Sequence, residues 1–338
     1  MSEQLQTNGA LPQRPLGESG LMVSRAGLGT NAFGERLDPE SSAAVVTAAL
    51  DAGITFFDTA DIYGHGESER IIGRALGSHR DDVVVATKAG MDAGGLNGAD
   101  HGARASRRYL RRAVEGSLRR LNTDYIDLYQ LHWPDGITPM DETLTAMNEL
   151  VTEGKVRYIG CSHFSGWQLV DAAWRARSTG LQRFISTQSE YSLYNRHAEV
   201  EIVPACLSAG MALLPYFPLA SGLLTGKYGR SEAAPKGSLL AAERVAARLQ
   251  HADWDLLDEL DAFAQQLDIS LLTLAIGGLA AQPAVASVIA GATTPEQVHA
   301  NAAAAAWQPT PAELAQLDAI EARHSAASLA RYFTPGRF

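Results

Sequence analysis

Four side chains able to handle protons stand at or just after the ends of three short apolar runs. Asp58 closes GITFFD with Tyr63 five residues further on, Lys88 closes VVVATK, and His132 closes IDLYQLH. A phenol has an ordinary pKa of about 10 and gives up a proton readily at neutral pH only when its phenolate is stabilised. A neighbouring ammonium does this, because a unit charge about 4 Å away is worth roughly 4 kcal/mol at an effective dielectric of 20, while one pKa unit is about 1.4 kcal/mol. Lys88 beside Tyr63 therefore has the reach to lower the phenol by roughly two units. A cation ending a buried strand needs a counter-charge, which Asp58 supplies from the adjacent strand. His132 can then hydrogen-bond the reacting oxygen or assist the tyrosine. Singly, Asp58 reads as a turn cap, Tyr63 as a half-buried aromatic and Lys88 as a surface charge; their convergence is what points to acid catalysis.

The elements that must hold these groups are eight runs rich in β-branched residues: Ala26–Gly29, Thr55–Asp58, Val83–Lys88, Ile126–His132, Tyr158–Ser162, Ser186–Glu190, Ala212–Tyr216 and Ser287–Ala290. Amphipathic helical patterns separate them, among them Pro39–Ala52, Ser106–Leu121, Asp141–Glu153, Gly166–Arg177 and Ala198–Ala209, with Asp124, Asp141 and Ser165 as expected punctuation. Strand and helix alternating without a break in composition predict an α/β (β/α)8 TIM barrel, whose site lies at the carboxyl ends of its strands. The expected organisation is a disordered tail over 1–11, one barrel domain over 12–323 and a C-terminal tail over 324–338, from which Tyr332 or Phe333 reaches the substrate pocket. Leu16–Ser24, with Gly17 and Gly20, is expected to form a hairpin plugging the barrel's N-terminal end. The stretch Gly222–Leu257 is expected to be a long functional loop after the seventh strand.

Composition narrows the partners. With 28 basic and 38 acidic residues the formal charge is -10, which opposes attachment to nucleic acid or anionic lipid. Cys161 and Cys206 have no CxxC spacing and the nine histidines no HxH or HExxH spacing, so no metal is expected, and a reduced, cytoplasmic setting fits. The N-terminus carries no apolar run, and Leu271–Ala292 reads as buried helix, turn and strand rather than a membrane span. Gly27, Gly29 and Ala32, with Asp51 further on, satisfy a dinucleotide-binding GxGxxG/A pattern. That pattern should open a helix directly, but FGERLDPES intervenes with another glycine and a proline. A monomer and a homo-oligomer are both compatible with the sequence.

Four segments, GITFFDTADIYGHGESE (53–69), VVVATKAG (83–90), YIDLYQLHWPD (125–135) and KVRYIGCSHFS (155–165), resemble in order and spacing the signatures of the aldo-keto reductase superfamily. The chain resembles a bacterial member of that family near its potassium-channel β-subunit-like and general-stress-type reductases, and the likeness spans residues 15 to about 320. The resemblance implies a catalytic tetrad of Asp58, Tyr63, Lys88 and His132 acting on a small carbonyl or alcohol. It implies a nicotinamide cofactor, NADP(H) by preference with NAD(H) as the alternative. Gly29, Thr30, Asn31 and Asp58 are expected around it. Ser162, His163 and Gln188 are expected at its carboxamide and Tyr216 against its ring. Pro218, Leu219, Ala220, Ser221, Gly222, Leu223 and Lys227 are expected at the pyrophosphate, through backbone N–H groups from Leu219 to Leu223, and Gly291, Thr293, Gln297 and Asn301 at the adenosine phosphate. Many relatives carry asparagine where His163 stands. Some carry arginine where Gln297 stands, a role for which Lys227 and Arg244 are the substitutes here. Phe33, Tyr63, His132, Trp133 and Phe164 are the expected substrate contacts. A nucleotide-binding regulatory or redox-sensing subunit with little turnover is the alternative reading.

Overall fold

Eight short runs, each buried where it crosses the interior, pair in parallel around a ring. The computed structural model describes residues 11–230, 234 and 249–332. After a hairpin of β1 (Gln13–Pro15) and β2 (Met22–Ser24) come β3 (Ala26–Gly29), β4 (Phe56–Asp58), β5 (Val84–Ala89), β6 (Ile126–Leu131), β7 (Val156–Ser162), β8 (Ser186–Glu190), β9 (Ala212–Tyr216) and β10 (Val288–Gly291). Their order round the sheet is β10-β3-β4-β5-β6-β7-β8-β9. A parallel bridge between Leu213 and Val285 brings the two edge strands together, with Leu213 N–H donating to the Ala284 carbonyl at 2.7 Å. This is the expected (β/α)8 barrel, and the strand limits shift by only a residue or two.

The helices lie outside, as right-handed parallel crossovers require. They are α1 (Pro39–Asp51), α2 (Glu67–Leu76), α3 (Arg107–Leu121), α4 (Met140–Thr152), α5 (Gly166–Thr179), α6 (Ala198–Ala209), α7 (Trp254–Gln266), α8 (Leu271–Ala280), α9 (Pro295–Ala306) and α10 (Pro311–Tyr332). Local signals set several starts. Asp38 accepts from Ser41 N–H at α1, Ser106 from Tyr109 N–H at α3, and Ser165 with Gln168 closes a capping box at α5. Asp141 is not the cap of α4, which begins a residue earlier after Pro139; its carboxylate lies in the first turn and complements the helix dipole. α10 continues to Tyr332, well into the segment expected as a tail. The tail 1–11 lies outside the described residues except for Leu11, which is buried.

The N-terminal hairpin closes the bottom of the barrel, although most of Leu16–Ser24 is its turn rather than its strands. Leu16 and Val23 are buried with Phe56, Val84, Leu128, Ile185, Ala212, Leu214 and Ile289. Each of the leucine, valine, isoleucine and phenylalanine side chains among them contributes about 1.5–3 kcal/mol. Gly17 turns the chain with a φ of 61°, and a Cβ there would sit 2.6 Å from the Ile185 carbonyl oxygen, so only glycine fits. Leu271–Ala292 is buried helix, turn and strand as expected. Among the described residues no single helix is long and apolar enough to cross a membrane; α7 and α8 reach the length only as a pair bent by 91°.

Candidate active site

The strand ends place four groups at one mouth. Asp58 is the last residue of β4, Lys88 lies near the end of the neighbouring β5, and His132 follows the last residue of β6. Lys88 Nζ donates to Asp58 Oδ2 at 2.7 Å, to the Thr59 carbonyl at 2.9 Å and to the Tyr63 hydroxyl at 3.3 Å. All three of its N–H donors are thus spent, with the side chain 1% exposed. Burial alone pulls the lysine pKa down, but the Asp58 carboxylate and Tyr63 outweigh it and leave the group above its usual value. Asp58 Oδ1 accepts from Gln188 Nε2 at 2.5 Å and Gln130 Nε2 at 3.3 Å. Tyr63 reverses an expectation. Burial raises its pKa by more than Lys88 lowers it, so the phenol ends above its usual value rather than two units below.

Rings fill the other side of the mouth. The His132 ring lies edge-on to Tyr63 with centroids 6.1 Å apart, and its Nδ1 is buried with no hydrogen-bond partner among the described residues. Burial, then Lys88 and His163, hold its pKa well below the usual value, so the ring is neutral at neutral pH. Trp133, 46% exposed, stacks on His163 at 4.0 Å, and Tyr216 Oη lies 3.3 Å from His163 Nδ1. His163 is pulled down to about 4 by burial and by Lys88.

The floor continues along successive strands. Ser162 of β7 is paired with Gln188 of β8, and its hydroxyl donates to the Gln188 carbonyl at 3.2 Å. Tyr216 ends β9 half-buried. Beyond it Phe217, Ala220, Ser221 and Gly222 take positive φ values of 51, 47, 60 and 98°. Ala220 to Gly222 are left-handed in succession, a tight turn whose concave side forms a backbone nest suited to an anion. Two of its amides are already used, however: Ala220 N–H donates to the Phe217 carbonyl at 2.9 Å and Gly222 N–H to Leu219 at 2.8 Å. Lys227 is exposed and lies against Gly222, where an added Cβ would be 3.2 Å from its Nζ. Gly29 of β3 is paired with both Asp58 and Gly291, and an added Cβ on Gly291 would lie 3.8 Å from Asn31 Oδ1. Thr293 N–H and hydroxyl both donate to Gln297 Oε1, at 2.8 and 3.1 Å, while Asn301 is buried one turn further along α9.

Residues 25–322 match the aldo/keto reductase family. The chain belongs to the aldo/keto reductase family. It is 39% identical over 300 residues, 85% of this chain and 88% of the relative, to a probable voltage-gated potassium channel subunit beta of Oryza sativa subsp. japonica. It is 38% identical over 292 residues, 84% and 88% of the two chains, to the uncharacterized oxidoreductase YrpG of Bacillus subtilis. Over 327 residues, 90% and 95%, it is 33% identical to the versiconal hemiacetal acetate reductase of Aspergillus parasiticus. As a member of this family the chain is an oxidoreductase, and the family uses NAD(P)H on small carbonyl compounds.

Against that family pattern some expected contacts move. Phe164 is buried and packs edge-on against Phe184 at 5.8 Å in the layer between barrel and helices, because His163 takes a left-handed backbone, φ 59°, and ends the strand's alternation. Phe33 is fully buried in the same layer. Trp133, by contrast, is exposed at the mouth. Thr30 is also fully buried: its hydroxyl donates to the Asp58 carbonyl at 2.9 Å and meets Ser68, which in turn meets Thr59. It braces the β4 end rather than facing outward. Arg244 and Phe333 lie outside the described residues. The sequence reading missed Gln130, whose amide reaches Asp58. It stands two residues before His132, so strand alternation puts both on one side, which was the available signal.

Proposed function

We propose that this aldo/keto reductase is an NADP(H)-dependent aldehyde or ketone reductase, reversible in principle, with Tyr63 as proton donor. The observation that carries the reading is Lys88 Nζ held between the Asp58 carboxylate and the Tyr63 hydroxyl. A bound nicotinamide nucleotide would supply hydride from its C4 to the carbonyl carbon. Tyr63 gives its proton to the carbonyl oxygen, and the phenolate left behind faces the Lys88 ammonium until solvent returns a proton. Asp58, held by Gln130 and Gln188, keeps the lysine in place. His132, neutral and next to Tyr63, orients the carbonyl by hydrogen bonding.

The chain's groups fit such a nucleotide. Ser162, His163 and Gln188 offer polar atoms for the carboxamide, Tyr216 a half-buried ring face, and the 217–222 nest with Lys227 a site for phosphates. Gln188 would hold the carboxamide while bonded to Asp58, which ties cofactor contact to the catalytic lysine's counter-charge. Gln297 would release Thr293 to meet the adenosine phosphate. Lys227 and Arg244 favour a 2′-phosphate. Fluorescence titration with NADPH and NADH tests this, and NADH binding tenfold tighter would overturn the NADP preference.

The rice relative's name supports a second reading, a nucleotide-binding regulatory subunit. Steady NADPH consumption with simple aromatic aldehydes, abolished by Tyr63→Phe while nucleotide binding survives, favours the enzyme. Tight binding without turnover favours the subunit. The two buried free thiols, Cys161 and Cys206, fit a reducing cytoplasm.

A further inference from the structure

Four arginines converge on one concavity far from the nucleotide groove. Between α2 and α3 lies a pocket of about 500 Å³ lined by Arg70, Arg74, Arg119, Arg120, Leu96, Gly116 and Asn122. None of these is acidic. The carboxylates that pair with them are Glu67, shared by Arg70 at 3.4 Å and Arg74 at 2.9 Å, and Glu69, bound to Arg120 at 2.6 Å. Arg119 is exposed and makes no ion pair among the described residues. The pocket is therefore a positive spot on a chain whose formal charge is -10.

Helix ends explain only part of it. Arg74, Arg119 and Arg120 occupy last helical turns, where cations complement a partial charge of about −0.5. Two such ends and two carboxylates still leave a positive surplus. The floor is shaped for a guanidinium: a Cβ on Gly116 would meet Arg120 Nη1 at 2.8 Å, so glycine there lets the Arg120 side chain lie in the pocket lining. Asn122 at the end of α3 takes a left-handed backbone, φ 52°, and adds a side-chain amide to the lining.

We propose that this pocket binds a small phosphate anion, with a diphosphate group as its best occupant. Arg70 and Arg74 form the α2 wall and Arg119 and Arg120 the α3 wall, two pairs facing a space larger than one phosphate needs. Guanidinium forks match phosphate oxygens two at a time, and ligand pockets of roughly 300–1,000 Å³ are the usual size. The α2–α3 groove lies halfway round the ring from the loops after β9 and β10, so this site is separate from the one that holds the cofactor's phosphates.

Arg74 and Arg119 are exposed and touch none of the catalytic groups, so the double variant Arg74→Ala/Arg119→Ala should fold and keep its turnover. Pyrophosphate binding is measured by calorimetry on the full chain, the double variant and Lys227→Ala. The expected result is saturable millimolar or tighter binding that survives Lys227→Ala and weakens tenfold or more in the double variant, with inorganic phosphate and citrate binding less tightly. Binding lost in Lys227→Ala and kept in the double variant overturns the proposal. So does an absence of saturable binding, or citrate binding as tightly as pyrophosphate.

Discussion

The Trp133 indole lies flat on the His163 imidazole, with ring centroids 4.0 Å apart and planes 22° from parallel. Both follow strand ends, His132 stands next to the stack, and the indole is 46% exposed. A tryptophan held rigid with a face toward solvent offers a platform to flat substrates, and an aromatic pair is worth about 0.5–1.5 kcal/mol beyond its buried area. Trp133→Ala is expected to raise KM several-fold for aromatic aldehydes and hardly at all for short aliphatic ones, with nucleotide affinity unchanged. Steady-state kinetics on matched aldehydes checks this; equal losses on both classes would remove Trp133 from substrate recognition.

Lys88→Met should cost nearly as much turnover as Tyr63→Phe, on the order of 10²–10⁴-fold for a lost acid. Tyr63 is raised by burial, and Lys88 is the first influence opposing that rise, so deleting the ammonium leaves a weaker acid still. Deletion also strands Asp58 as a buried charge, a change that typically costs about 3–5 kcal/mol. Thermal unfolding must therefore accompany the kinetics, with Tyr63→Phe as the variant that leaves the ion pair intact. A folded, fully active Lys88→Met would sink the proton-donor mechanism.

The barrel and the mouth were legible because the second, third and fourth strand runs each stop at a polar residue, and in this fold strand ends are where chemistry sits. Asp58, Lys88 and His132 announce themselves as the places where apolar runs end in charge or imidazole. Gln130 did not, since one amide inside a strand looks like ordinary polarity until alternation is counted back from His132. The burial of Phe164 was not legible either, because alternation fails at His163, whose positive φ cannot be read from residue type. The rise in the Tyr63 pKa was equally hidden: sequence shows the neighbouring charge but not the depth of burial that outweighs it. Nor could sequence show that Glu69 meets Arg120, 51 positions later, behind the catalytic loop.

The pH profile should separate the two directions of the reaction. Tyr63 and Lys88 both sit above their usual values, so the phenol remains protonated through neutral pH and reduction should be level from about pH 6 to about 9. Alcohol oxidation needs the phenolate, and its rate should climb about tenfold per pH unit over the same range. His132 is held well below its usual value and should add no inflection near neutrality. Stopped-flow rates in both directions give the measurement. A reduction rate that falls as pH rises past about 6.5 would show that an imidazolium, not the phenol, delivers the proton.

Asp61, three residues after Asp58, is fully buried and pushed up to about 7, chiefly by burial and then by the Glu69 charge, against the pull of Asn97 and Arg120. Asn97 Nδ2 donates to its Oδ2 at 2.6 Å while Oδ1 has no partner among the described residues. The folded chain thus holds a proton that the unfolded chain has already released between about pH 4 and about 7, so stability falls as pH rises through that window and levels above it. Three units of displacement correspond to at most about 4 kcal/mol. Asp61→Asn keeps an acceptor for Asn97 and removes the titration. Its unfolding free energy should exceed that of the parent chain at pH 8, and the two should draw together toward pH 5. Urea unfolding across this range decides the matter, and parallel curves for the two proteins would mean that Asp61 stays ionised in the folded chain.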